Sequence, residues 1–304
     1  MKLHQLASTA FPMEFDKSFS SDFDFDQVSN VQLTSWYLDV RAAYRLQARR
    51  MKRVSRGSGG ILSTGNRMFW ASVLFTRMIV TVKTIDKILP DPKPKEHWDF
   101  SSVASLIRNL FECYIWYYWL CEDDVLDEVR AARFILLYLH DYGSRRRTFP
   151  SEYSEPREAD PVYLDLVSQF NGNSILNTVP ERKRRELLRG EKTPFIQDEV
   201  LERMGWDKDE FRMWYRFYSQ HTHTGPMSFY RMPEHDRGSG AETRHEKKYI
   251  MFSTALACNV LERAIAGHLK IFPDAEIREP WLTDADVVRN VERAQGRAMG
   301  RRRP

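Results

Sequence analysis

From Val103 to Leu120 almost every residue is apolar or aromatic, and the run includes Leu106, Ile107, Leu110, Phe111, Tyr114, Ile115, Trp116, Tyr117 and Trp119. A helix built from this run has no continuous polar face, so other elements must cover most of its sides. That requirement calls for several partner helices. Yet Arg108 and Glu112 stand in the middle of the run, four residues apart and so on one face. A buried charge must be paired and hydrogen-bonded or it costs several kcal/mol. The simplest pairing is of Arg108 with Glu112, extended to a third group. Such a pair either sets helix register or belongs to a functional site, and both readings stay open.

The apolar spacing predicts further helices over 31–54, 66–88, 124–141, 160–170, 180–189, 196–204, 207–222 and 242–271, with a short one over 283–295. The apolar run itself should start near 99–102, capped by Asp99 or a serine, and end near Cys121. Gly143 reads as the stop of the helix that begins near 124. No stretch shows sustained strand alternation, and no repeat of 20–50 residues is present. The predicted fold class is therefore all-α: a multi-helix bundle with an irregular N-terminal arm and a basic C-terminal tail. The arm covers 1–28, where Phe11, Phe15, Phe19 and Phe23 recur among Asp and Ser and are expected to dock on the helical body. Residues 29–65 hold a first helix and a Gly-rich linker, 66–272 the bundle core, and 273–304 a short helix and the tail. The linker, "RGSGGILSTGN" (56–66), lacks the Gly-Lys-Ser/Thr ending of a phosphate-binding loop.

The formal net charge is only +4, but basic residues cluster in "RRMKRVSR" (49–56), "SRRR" (144–147), "ERKRRELLR" (181–189) and "RRR" (301–303). These are either solvated helix faces or contacts for phosphate-bearing partners. The expected partners are RNA or another phosphate-bearing ligand, together with a second copy or another protein. Cys113, Cys121 and Cys258 form no Cys-x-x-Cys pair, and this favours a reducing, cytoplasmic setting. No signal peptide is evident, and the longest apolar runs, 113–121 and 68–75, fall short of a membrane span. No membrane partner is expected.

Chemistry-bearing residues concentrate in "YSQHTHTG" (218–225), where His221 and His223 flank Thr222 at a predicted helix end before Gly225-Pro226. The same helix carries Arg212, Tyr215, Arg216 and Ser219. Arg133 and His140, and Glu262, Arg263 and His268, lie on other predicted helices, and the interior of a bundle is where such groups can converge. His-x-His on a regular helix splays its side chains by roughly 200°, "HEKKY" (245–249) fails the zinc-binding pattern at its last position, and His235-Asp236 adds no defined ligand set. No metal and no cofactor is expected. A Gly-x-Ser-x-Gly elbow is absent, and Cys113 and Cys121 lack an electropositive, exposed setting.

Two stretches, "SLIRNLFECYIWYYWL" (105–120) and "WYRFYSQHTHTG" (214–225), together resemble a group of bacterial all-helical proteins known only as a domain of unknown function. The pattern is Arg-x-Leu-Phe-Glu, then Tyr-x-x-x-Ser-x-x-x-His before a turn. The resemblance spans roughly 66–272 and implies a helical bundle without implying an activity. The chain also resembles HEPN-type helical ribonucleases of toxin–antitoxin and phage-defence systems, whose signature is Arg, four to six residues, then His. Arg216 with His221 or His223 fits, as do Arg133 with His140 and Arg263 with His268; Phe217 follows Arg216 where that family prefers a polar residue. The resemblance implies a metal-independent mechanism in which a histidine takes the 2′-hydroxyl proton and an arginine stabilises the phosphorane-like transition state.

The candidate catalytic residues are thus His221, His223, Arg216, Glu112, Arg108 and Ser219. Two functions stand side by side. One is a ribonuclease or nucleic-acid-processing effector with a cleft open beside His221. The other is a non-catalytic interaction scaffold whose polar network is closed and structural. Glu112 is expected in the interior, within reach of an Arg or His from another helix, and His221 or His223 is expected to face the Arg108/Glu112 helix.

Overall fold

The computed structural model describes residues 27–59, 61, 65–153, 155–230, 232 and 237–278. The arm up to residue 26, His235-Asp236, the short helix at 283–295 and the basic tail lie outside the described residues. The fold is all-α, and among the described residues there is no strand. In chain order the helices are α1 (Asn30–Ser58), α2 (Asn66–Ile88), α3 (Phe100–Tyr117), α4 (Asp127–Thr148), α5 (Pro161–Gly172), α6 (Glu181–Arg189), α7 (Gln197–Arg203), α8 (Lys208–Thr222), α9 (Pro226–Phe229) and α10 (Arg244–Ile271). The chain divides into two compact units. One takes Met1–Tyr117 and Asp209–Pro304, the other Tyr118–Lys208.

In the first unit, α1, α2, α3 and α10 pack around a shared core, with α1 beside α10 and α2, and α3 beside α2 and α10. The stretch read as a first helix and linker thus supplies a full wall of the core: Leu33, Tyr37, Val40, Tyr44, Met51 and Val54 of α1 are buried. They meet Phe75, Met78, Val82 and Ile85 of α2, Ile107, Leu110 and Tyr114 of α3, and Ile250, Leu261 and Ile265 of α10, all buried. Each such side chain contributes about 1.5–3 kcal/mol on burial. Tyr37 and Tyr44 put their hydroxyls on the carbonyls of Pro90 (2.6 Å) and Val82 (3.0 Å). The ion pair of Arg45 with Asp86 fixes the same antiparallel register. By length and composition α2 and α10 could each cross a membrane, but 78% of the most apolar window of α10 is buried inside the protein.

The N-terminus of α3 is capped twice. Asp99 Oδ1 accepts from the Ser102 amide (3.3 Å), as the sequence suggests. Glu246, buried on α10, accepts from the amides of Phe100 (3.0 Å) and Gly238 (3.1 Å). A carboxylate there satisfies an orphan donor and complements the helix dipole. Glu246 is itself positioned by the cap of α10, where Thr243 Oγ1 accepts from its amide (3.1 Å).

The second unit is built on α4, whose Ala132, Ile135, Leu139 and Tyr142 form a core with Leu166 and Phe170 of α5 and Leu176. The expected stop at Gly143 does not occur, because α4 continues to Thr148. Gly143 is instead a site of close approach: a Cβ there would lie 2.6 Å from the Arg189 carbonyl oxygen. Gly190 ends α6 at φ 65°, and a Cβ on it would sit 2.0 Å from the Leu139 carbonyl oxygen. Two glycines let α4 and the end of α6 meet backbone to backbone. Arg130 and Arg133, both buried, donate to carbonyls of the π-turn Tyr118–Glu122 that follows α3 in sequence, and Asp123 pairs with Arg133 (2.6 Å) and Arg203 (2.7 Å).

Candidate functional site

All six candidate residues fall in the first unit, on α3 and α8 and just past the end of α8. The α8 sequence places Phe211, Tyr218 and His221 on its buried side, and these residues anchor it. Phe111 of α3 packs edge-on against Tyr218, and the Tyr218 hydroxyl donates to Ser253 Oγ of α10 (3.0 Å). With α8 held in this way, its polar residues separate into three groups.

The first group is a closed triad. Arg108 Nη2 donates to Glu112 Oε1 (2.9 Å) and to the Tyr215 hydroxyl (2.9 Å), while that hydroxyl donates to Glu112 Oε1 (2.6 Å). The Arg108 guanidinium also lies over the Tyr215 ring, 4.9 Å from its centroid. Burial and the Glu112 carboxylate raise the pKa of the Tyr215 hydroxyl. Glu112 is not in the interior as expected: its side chain is 37% exposed, and the group reaching it from another helix is a tyrosine instead of an Arg or His. The physical reason is that α8 covers the Arg108/Glu112 face incompletely, leaving the carboxylate at the rim. The pairing of Arg108 with Glu112 and its extension to a third group are both observed.

The second group surrounds His221, which is 5% exposed. Its ring is held edge-on by Phe100 (4.6 Å between centroids) and Phe217 (5.0 Å). Nδ1 lies 2.9 Å from Ser101 Oγ, so His221 meets the same helix as Arg108 and Glu112 but near its N-terminal end. Nε2 is buried with no hydrogen-bond partner. Burial pushes the His221 pKa down to about 4; the nearby Arg237 adds to this and Asp99 opposes it.

The third group faces solvent. Arg216 and His223 are exposed, and neither makes a side-chain ion pair or hydrogen bond among the described residues. The His223 amide donates to the Ser219 carbonyl (3.0 Å), which carries the helical geometry of α8 one residue further. Thr224 then adopts φ 51° and ends it. Ser219 joins none of these groups, since its hydroxyl donates to the Tyr215 carbonyl within α8 (2.7 Å). Arg216 lines a groove of about 630 Å³ with Arg212, Met213, Trp214, Met227 and Tyr249.

The other sequence candidates lie elsewhere. Arg133 is buried on Asp123, and His140 Nδ1 lies 3.0 Å from the Gly190 carbonyl oxygen, both within the second unit. His268 is wholly buried in the core of the first unit, stacked on Phe75 at 3.9 Å and bridging Tyr117 (Nδ1, 3.1 Å) and Ser58 (Nε2, 3.1 Å). The Ser58 hydroxyl donates to the Ser55 carbonyl (3.0 Å), so Ser58 accepts from Nε2–H and Nδ1 accepts from Tyr117. In that tautomer His268 cannot take a proton from Ser58, which excludes a serine–histidine nucleophile in the arrangement shown. Among the described residues no group of three His, Cys, Asp or Glu side chains could hold a metal ion.

Sequence reasoning missed Ser101 as a partner, the Glu246 cap and the Tyr117–His268–Ser58 chain. The Thr-x-x-Glu pattern at 243–246 was the available signal for Glu246. The other contacts join residues 120 or more positions apart, and no local pattern announces them.

Residues 68–240, more than half of the chain, match a family of unknown function (DUF5677), in keeping with the resemblance to an all-helical domain of unknown function. No curated protein and no solved structure matches the chain.

Proposed function

The chain belongs to the DUF5677 family, whose function is unknown, and from the geometry of its own site we propose that it is a non-catalytic interaction scaffold with a structural polar network. The observation that carries this reading is the burial of His221 between Phe100 and Phe217. A general base must reach the proton that it abstracts and should have a pKa near the working pH. Here Nδ1 is engaged by Ser101, Nε2 is closed off from solvent, and the pKa is about 4. Arg216 lies five residues earlier, about 140° around the helix from His221, and so cannot share a phosphate with it. The Arg108–Glu112–Tyr215 triad pairs its two charges within α3 and uses the Tyr215 hydroxyl to join α3 to α8, leaving only the buried Arg108 Nε without a partner.

The test is incubation of the purified protein with single-stranded and structured RNAs, with and without divalent cations. The scaffold reading expects no cleavage above that of an Arg216→Ala/His223→Ala double variant. Cleavage that disappears in a folded His221→Ala variant would overturn it.

One observation favours a second reading. Arg216 and His223 are seven residues apart, within about 20° of one another around the helix, and both are exposed. This pair would serve a metal-independent ribonuclease or another nucleic-acid-processing effector of toxin or phage-defence type. That reading expects chelator-resistant cleavage lost in Arg216→Ala and in His223→Ala and retained in Ser219→Ala.

A further inference from the structure

The groove beside α8 combines exposed apolar side chains with two arginines. Its apolar lining is open, with Met213 54% and Met227 60% exposed, and Phe229 and Tyr230, close in sequence to Met227, are exposed too. Methionine side chains adapt their shape to apolar partners, and such surfaces serve promiscuous or induced docking. The charged lining residues are Arg212, Arg216 and Asp209, two cations against one carboxylate. Arg216 has no ion pair among the described residues, Arg212 is held by Asp209 (3.1 Å), and Arg237 lies over the lining residue Tyr249, 4.7 Å from its ring centroid.

We propose that this groove is the docking site of the chain's own N-terminal segment, residues 1–26. That segment carries Phe11, Phe15, Phe19, Phe23 and Phe25, and from Glu14 to Asp26 it has five acidic residues against one lysine. Its composition is the complement of the groove: aromatic rings for the methionines, carboxylates for Arg212 and Arg216. The place where it joins the structure also favours this seat. Asn30, at the start of α1, accepts from Arg244 of α10 (3.2 Å), and Tyr249 lies five residues further along α10, a rise of about 7.5 Å and about 140° around the helix, a turn that the length of the segment spans. Phe23 is four residues from Gln27, a reach of up to about 13 Å, and Phe11 can reach about 53 Å.

One competing apolar surface among the described residues is the stripe of Phe69, Val73 and Val80 on α2. Its nearest part sits level with Tyr44, whose hydroxyl meets the Val82 carbonyl. That level is about 21 Å along α1 from Asn30, and the stripe runs farther away from there. Cis docking has a functional consequence for the scaffold: the groove is self-occupied, and an external partner must displace the segment to use it. The inference is independent of the RNA test, whose outcome leaves the groove and the segment unchanged.

The test uses the full chain with Phe19→p-benzoylphenylalanine, a photo-cross-linker that favours methionine C–H bonds. Irradiation is expected to give an intramolecular cross-link at Met213 or Met227, lost when Met213→Asp and Met227→Asp are introduced together and weakened by Arg216→Glu. A cross-link to the α2 stripe, a cross-link only between two copies, or none above an unirradiated control would overturn the proposal. A second measurement guards against a variant that fails to fold. In the full chain with Phe11, Phe15, Phe19 and Phe23→Ser, amide exchange should rise over 212–217 and 226–230 and stay unchanged in α1 and α2. Unchanged exchange over 212–217 would equally overturn it.

Discussion

Tyr215 donates its hydroxyl to Glu112 at 2.6 Å, and this bond joins α8 to the midpoint of α3. Arg108 neutralises the same carboxylate oxygen from within α3. A hydrogen bond to a charged acceptor contributes about 1.5–3 kcal/mol, and partial exposure places this one at the low end. Tyr215→Phe is expected to lower unfolding stability by about 1–2 kcal/mol in urea titrations. Glu112→Ala should cost a similar amount, well short of the about 3–5 kcal/mol expected for breaking a fully buried pair. Unchanged midpoints in both variants would show that the triad holds nothing together.

His268 is a different case, because its two ring nitrogens and its ring face are all engaged inside the core. Removing the ring leaves a cavity and takes away the Nδ1 acceptor of the Tyr117 hydroxyl. His268→Ala should therefore destabilise the first unit by about 3–5 kcal/mol, while Ser58→Ala, which orphans only the Nε2 proton, should cost about 1–3 kcal/mol. Equal losses in the two variants would contradict this assignment of donors.

Thr224 terminates α8 at φ 51°, a left-handed conformation that a β-branched residue rarely adopts. The strain sits at the position where helices commonly place glycine. Thr224→Gly is expected to raise stability by about 1 kcal/mol without altering binding at the groove. A loss of stability would mean that the threonine side chain makes a compensating contact.

Much of the fold was legible because local chemistry marks it. The Pro-rich stretch after α2 and the Gly-rich stretch before it bracket Asn66–Ile88, the same span as the predicted helix. Asp99 was readable as a cap for the same reason. Gly143 was misread because a glycine that ends a helix and a glycine that admits a neighbouring backbone look alike in sequence, and only the approach of Arg189 and Gly190 distinguishes them. At the site, the i,i+4 pairing of Arg108 with Glu112 followed from helix geometry. The burial of His221 and the exposure of His223 did not, because they depend on where Phe100, distant in sequence, closes over the ring that Phe217, one turn away on α8, already flanks.

Both buried histidines bind protons less readily when folded, with pKa values of about 4 for His221 and about 3 for His268, and burial is the main cause. Protonation therefore favours the unfolded chain. The stability they protect is complete above the unfolded pKa of 6.5 and is lost as pH falls through about 4 for His221 and about 3 for His268. Urea midpoints should be flat from pH 8 to about 6.5 and decline steadily below it, and His221→Phe should flatten part of that decline. A midpoint that rises on acidification would contradict the burial of both rings.

The most direct test of the scaffold account is an NMR titration of the His221 ring, repeated with a single-stranded RNA oligonucleotide present. The account predicts a midpoint near pH 4 in both cases. A His221 midpoint near 6.5, or one that RNA shifts toward neutrality, would show a ring open to solvent and substrate, and the non-catalytic reading would fail.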